Sequence, residues 1–146
     1  MAHRCYIKIM TKILAIGSQL HHSNTFVKLL ESKGFDVIVA ENAAVGVFKA
    51  HSELPDLIIS DFIMQDLDGY GVLKALREHP LTAIIPFIFL ANKASQAQIR
   101  KAMEMGTDDF ITKPYTEEEF LKAVVVRLER QAFLREWYAA RAAKQK

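Results

Sequence analysis

The sequence predicts an α/β fold: a doubly wound parallel sheet with helices on both faces. Two observations carry this reading. Short β-branched runs alternate with helical patterns along the chain, five times in succession, the order that builds a parallel sheet covered by helices. The chain has 146 residues, 51% hydrophobic and 25% charged, which suits one packed domain of ~100–150 residues and excludes disorder or a collagen-like repeat.

The elements follow in order. Residues 12–16 (KILAI) read as a strand ending at Gly17. A helix over about residues 20–33 has Phe26, Val27, Leu29 and Leu30 on its apolar face, and Gly34 stops it at the usual C′ position. Residues 35–40 (FDVIVA) form the second strand, 43–52 a helix closed by Pro55, and 57–60 (LIIS) a third strand running into Asp61. Residues 62–68 are a loop, with Asp68-Gly69 as a turn signal. The third helix spans 70–79, with Leu73 and Leu76 inward. Residues 86–90 (PFIFL) are apolar throughout, as a central parallel strand requires. A helix over 95–105 stops at Gly106, and 109–112 (DFIT) is a short fifth strand before Lys113-Pro114. Thr116 and Glu119 have capping-box spacing at the start of the last helix.

Several function classes drop out. The longest apolar run, 83–91, is far short of the ~20 residues that span a bilayer. Lysines interrupt the apolar positions of MAHRCYIKIMTKILAIG, so it is a poor secretory signal, and residues 1–10, ending at a second methionine, read as a leader. Cys5 is the only cysteine, which fits a reducing, cytoplasmic setting. With 19 Lys+Arg against 17 Asp+Glu there is no basic stripe for nucleic acid. Arg127, Arg130, Arg135, Arg141, Lys144 and Lys146 gather in the tail, but Glu129 and Glu136 interrupt them, as on a solvated helix face.

Ligands of open parallel sheets bind beyond the carboxyl ends of the strands. That rule selects residues 17–19, Asp61, Ala91-Asn92 and Lys113. In these places the stretches KILAIG, PDLIISDFIMQDLDGYGVLKALR, IPFIFLA and MGTDDFITKPY resemble the receiver domain of two-component response regulators, over about residues 11–130. The resemblance rests on an Asp after the third strand, a downstream Asp-Gly and a Lys-Pro after the fifth strand, all at matching spacing. It implies a flavodoxin-like (βα)5 sandwich with strand order 2-1-3-4-5, a phosphorelay role with a sensor histidine kinase as partner, and no enzyme activity of its own. It makes Asp61 the phosphoacceptor and Lys113 the lysine that pairs with phosphate. Pro114 takes the place of a proline that often follows a cis peptide. Ile63 stands where a backbone carbonyl helps to hold metal, and Phe110 where the family has a rotating aromatic switch.

The chemistry of such a site brings two anions together, a carboxylate and a phosphoryl group, so positive charge must offset their repulsion. In the family Mg²⁺ does most of this, held by the acceptor and an acidic pair after strand one, while a Ser or Thr after strand four bonds the phosphate. This sequence departs at each point. The acidic pair is replaced by Gly17 and Ser18, the hydroxyl position is Ala91, and the Met-Pro after the acceptor reads Met64-Gln65. Asp61 then faces Lys113 with their charges cancelling, and a neutral pocket has little reason to strip water from magnesium. Asp66 and Asp68 share the loop with Asp61, but Asp68 belongs to the turn. Ser18 and Gln19 offer only neutral oxygens. The expectation is a receiver with weak or absent Mg²⁺, acting through protein contacts, with Asp61 as its formal acceptor. A conventional phosphate-driven receiver is the alternative, and Asp61 and Lys113 also suit a structural ion pair.

Other features have plain readings. His21 and His22 are helix neighbours that point in different directions, and Met64, Met103 and Met105 suit packing. A flavin carrier of this topology needs a Gly-rich phosphate loop, and residues 17–25 (GSQLHHSNT) contain one glycine. The tail says more. Phe133, Trp137 and Ala140 recur at i, i+4, i+7, and Leu134, Tyr138 and Arg141 repeat the spacing, so residues 131–146 extend the last helix with an apolar stripe. Such a stripe folds back on the domain or forms a seam with a second protomer or a downstream output domain, with Phe133, Trp137 and Tyr138 as the partner surface.

Overall fold

Successive strand residues point to opposite faces of a sheet, and in this chain both faces are apolar. The computed structural model describes residues 11–17 and 24–144. Residues 1–10, read above as a leader, and Ser18, Gln19, His21, His22 and Lys146 lie outside the described residues. Five strands, β1 (Lys12–Ile16), β2 (Asp36–Ala40), β3 (Leu57–Asp61), β4 (Phe87–Ala91) and β5 (Asp109–Thr112), pair in parallel in the order β2-β1-β3-β4-β5. Five helices connect and flank them: α1 (Thr25–Ser32), α2 (Ala43–Glu53), α3 (Gly69–Arg77), α4 (Gln96–Glu104) and α5 (Glu117–Lys144).

The alternation divides the core in two. Leu14, Ile16, Ile58, Phe87 and Phe89 pack on one face against Ala50 of α2, Leu73 and Leu76 of α3 and Ala102 of α4. Ile13, Ala15, Ile59, Ile88 and Leu90 pack on the other against Val27 and Leu30 of α1 and Phe120, Val124 and Leu128 of α5. With all strands parallel, their carboxyl ends share one edge of the sandwich, and the residues just past them meet there. Among the described residues no helix is long and apolar enough to cross a membrane.

Local chemistry moves several boundaries from those the sequence suggested. Asp61 is the last residue of β3, in register with Leu90, and the Phe62 N–H extends the ladder by donating to the Leu90 carbonyl at 2.8 Å. β4 starts at Phe87, since Pro86 has no N–H for the ladder. α1 starts at Thr25, where the Asn24 side chain accepts the Phe26 N–H at 2.8 Å. α3 begins at Gly69 because Asp68 is its N-cap, accepting the Gly71 N–H at 3.0 Å. The capping box of the last helix forms as read: Glu119 N–H donates to Thr116 Oγ1 at 3.0 Å, and Thr116 N–H to Glu119 Oε1 at 3.3 Å. Met103 is not packed away as its composition suggested but is 44% exposed on α4.

Candidate functional site

Four strand ends converge at the carboxyl edge. β1 delivers Gly17, β3 Asp61, β4 Ala91 and β5 Lys113, whose N–H donates to the Ala91 carbonyl at 3.0 Å. Between them lies a cavity of about 310 Å³ lined by Asp61, Ala91, Asn92, Lys93, Lys113 and Tyr115, among others. The Lys113–Pro114 peptide is cis, as the resemblance implied. Ile63, also at the cavity, is largely exposed.

Gly17 and Asp61 are fitted to one another. Gly17 has φ +139°, a conformation that side chains rarely adopt, and a Cβ added to it would overlap the Asp61 carboxylate. The acceptor-position carboxylate therefore occupies the space that a side chain at position 17 would need. This contact was not legible in the sequence, which marks Gly17 only as the loss of an acid.

The other acids of the loop are committed elsewhere. Asp66 accepts from the N–H groups of Ala43 and Ala44 at 3.2 and 3.1 Å, and Asn42 takes the Val45 N–H at 2.9 Å, so the two side chains together satisfy the first turn of α2. The bonds from Ala44 and then Ala43 hold the Asp66 carboxyl below its ordinary value. Asp68 caps α3. No group of three or more His, Cys, Asp or Glu suited to a metal occurs among the described residues.

Lys93 was missed in the sequence reading. Two residues beyond β4, it lines the cavity with Lys113, so the lining sets two lysines against one carboxylate. The signal was available, because Lys93 follows the Ala91-Asn92 pair that the strand-end rule had selected. Tyr115 also went unnoticed. Its phenol is pushed up by burial and then by the charge of Asp61, and its ring lies 5.1 Å from Phe26. Ion pairs between described residues include Lys12–Glu53, Arg77–Asp108 and Arg135–Asp56, all away from the cavity.

A model of the response regulator receiver domain matches residues 13–125. The chain belongs to that family. The alkaline phosphatase synthesis transcriptional regulatory protein PhoP of Bacillus subtilis is 37% identical over 103 residues, covering 68% of this chain. The chain spans only 42% of that relative's length. Protein PilH of Pseudomonas aeruginosa is 30% identical over 115 residues, 79% of this chain and 95% of PilH. Among solved structures, a two-component response regulator from Clostridium difficile superposes with TM-score 0.75 at 29% identity, over 83% of this chain and 98% of the other.

The two positions that the resemblance marks as switches, Ala91 and Phe110, carry apolar side chains. Ala91 is buried at the end of β4 and carries no hydroxyl. Phe110 of β5 turns inward, its ring 5.0 Å from Phe62 and 5.5 Å from Phe89. The tail residues lie elsewhere. α5 is one helix of 28 residues, and its buried residues end at Leu128. Beyond them Phe133, Trp137 and Tyr138 are 46%, 44% and 64% exposed, with the Arg141 guanidinium 4.6 Å above the Trp137 ring.

Proposed function

We propose that this receiver domain works in two-component signalling chiefly through protein contacts, with Asp61 as its formal phosphoacceptor and without a firmly held Mg²⁺. The observation that carries the proposal is the fit of the Asp61 carboxylate over Gly17. Magnesium takes near-octahedral oxygen ligands, usually one or two carboxylates with phosphate and water. Here the carboxylate leans into the place of the missing acid, Asp66 and Asp68 cap helices, and Lys93 and Lys113 bring like charge against any cation. With Ala91 in place of a hydroxyl, a phosphoryl group on Asp61 has no side-chain donor at that position through which to move β4.

The partners follow the same reading. A sensor histidine kinase is the phosphate source for a receiver, and the extension of α5 is the partner surface, offered to a second protomer or to an output domain. The similarity to a transcriptional regulatory protein supports an output partner, and the match to nearly the whole of PilH supports a receiver acting without one. The domain acts in the cytoplasm, is no enzyme in its own right, and binds neither nucleic acid nor membrane. The conventional phosphate-driven reading has one observation in its favour, since two lysines at the cavity suit an anion.

Incubation with acetyl phosphate and Mg²⁺, followed by intact mass, tests the proposal. The expected result is an unchanged mass. A stoichiometric gain of one phosphoryl group, lost in Asp61→Asn, contradicts it.

A further inference from the structure

The amino end of the sheet, opposite the candidate site, carries features that the receiver reading leaves unused. A groove of about 160 Å³ lies between the segments entering β3 and β4 and the Gln131–Arg135 stretch of α5. Its rim holds Leu54, Leu81 and Ile84 at 46%, 61% and 73% exposure. Leu54 has φ 45°, in the left-handed region that favours glycine. Apolar side chains this exposed and this close together mark an interaction surface.

We infer that the occupant of this groove is the α5 overhang of a second copy of this chain, each copy laying its helix end across the other's groove. The inference rests on the proposal that the overhang is a partner surface, and commits it to one partner and one seat. The overhang is apolar on more than one side. At 3.6 residues per turn Trp137 and Ala140 continue the line of the exposed Val126, whereas Leu134 and Tyr138 lie roughly a quarter to a third of a turn around the helix. A helix with apolar residues on several sides needs cover on several sides. One partner helix supplies one wall; the groove rim supplies the second.

Charge selects the same occupant. At the amino ends of the strands Asp36, Glu53, Asp56, Glu78, Asp108 and Asp109 outnumber Lys12, Lys33 and Arg77, while in the overhang Arg135, Arg141 and Lys144 outnumber Glu136. The Arg135–Asp56 contact, 3.5 Å, is the same attraction made within one chain at the root of the overhang. Reciprocal docking of a basic apolar helix end on an acidic apolar rim is self-complementary, as a two-fold dimer requires. It leaves both cavities at Asp61 open, because they lie at the far ends of the two sheets.

Sedimentation equilibrium of the full chain tests this. The expected species has twice the 16.6 kDa chain mass. Ile84→Lys in the rim and Trp137→Glu in the overhang each raise the dimer dissociation constant about tenfold or more. Arg141→Glu weakens the dimer. Ile84 is exposed, so its variant keeps the wild-type circular dichroism spectrum, and Leu81→Lys is a second rim variant that reads the same effect. A monomeric wild type overturns both the inference and the choice of a second copy as the overhang's partner. A dimer that Trp137→Glu dissolves but both rim variants leave intact overturns groove docking alone.

Discussion

At the carboxyl end of the sheet the rings of Phe62, Phe89 and Phe110 lie within 5.5 Å of one another, and Gly17 admits nothing between itself and Asp61. At the amino end Leu81 and Ile84 stand in solvent beside a helix that outruns the domain. The carboxyl end is where the residues selected by the strand-end rule meet, beside the packed rings of Phe62, Phe89 and Phe110. The amino end carries Leu54, Leu81 and Ile84 exposed at the rim of a groove that Gln131 and Arg135 of α5 also line. The two ends differ in what they leave exposed: rings are packed together at one, and apolar side chains stand in solvent at the other.

Changes at the carboxyl end should therefore cost stability and leave association alone, and changes at the amino end the reverse. The largest expected effect is Phe62→Ala. Phe62 touches Tyr70, Phe89 and Phe110, and its loss costs about 3–5 kcal/mol in urea unfolding. A folded fraction with altered self-association would break the separation. Gly17→Asp, the substitution that would restore an acid, comes next. It forces a side chain onto φ +139° and into the Asp61 carboxylate, and lowers stability by about 1–3 kcal/mol from backbone strain alone. Adding Asp61→Ala removes the overlap and returns part of the loss, measured as a double-mutant cycle.

A pH effect distinguishes the same end. The Asp66 carboxyl is held below its ordinary 3.8 by the α2 N–H groups. Its contribution is therefore present above 3.8 and disappears as pH falls through the lowered value. Thermal melts across the acid range should show the wild type losing stability in that window relative to Asp66→Asn. The smallest effect is Arg135→Ala, which removes an exposed ion pair to Asp56 and changes folding stability by less than about 1 kcal/mol. Melting curves check this, and a larger loss would mean that the overhang is anchored to its own domain.

Periodicity made the sheet legible, since β-branched runs and their spacing are set locally. β1 and β5 were read at their observed bounds, and the other strands within a residue. The misplacements arose where one group acts across distance. Asp61 belongs to β3 only because Leu90 of another strand continues the ladder past it. The role of Asp66 was hidden because the helix it caps starts 23 residues earlier in the chain. Gly17, Asp61, Ala91 and Lys113 were selected in advance by the strand-end rule, whereas the fit of Gly17 to the carboxylate depends on a backbone angle that no residue type announces.

The proposed function turns on electrostatics: one carboxylate packed on a glycine, in a cavity lined by two lysines, does not retain a divalent cation. Calorimetric titration of Mg²⁺ into the full chain, beside Asp61→Asn, measures it most directly. The predicted result is the same unsaturable heat for both proteins through the millimolar range. A stoichiometric, saturating isotherm for the wild type that vanishes in Asp61→Asn would contradict it.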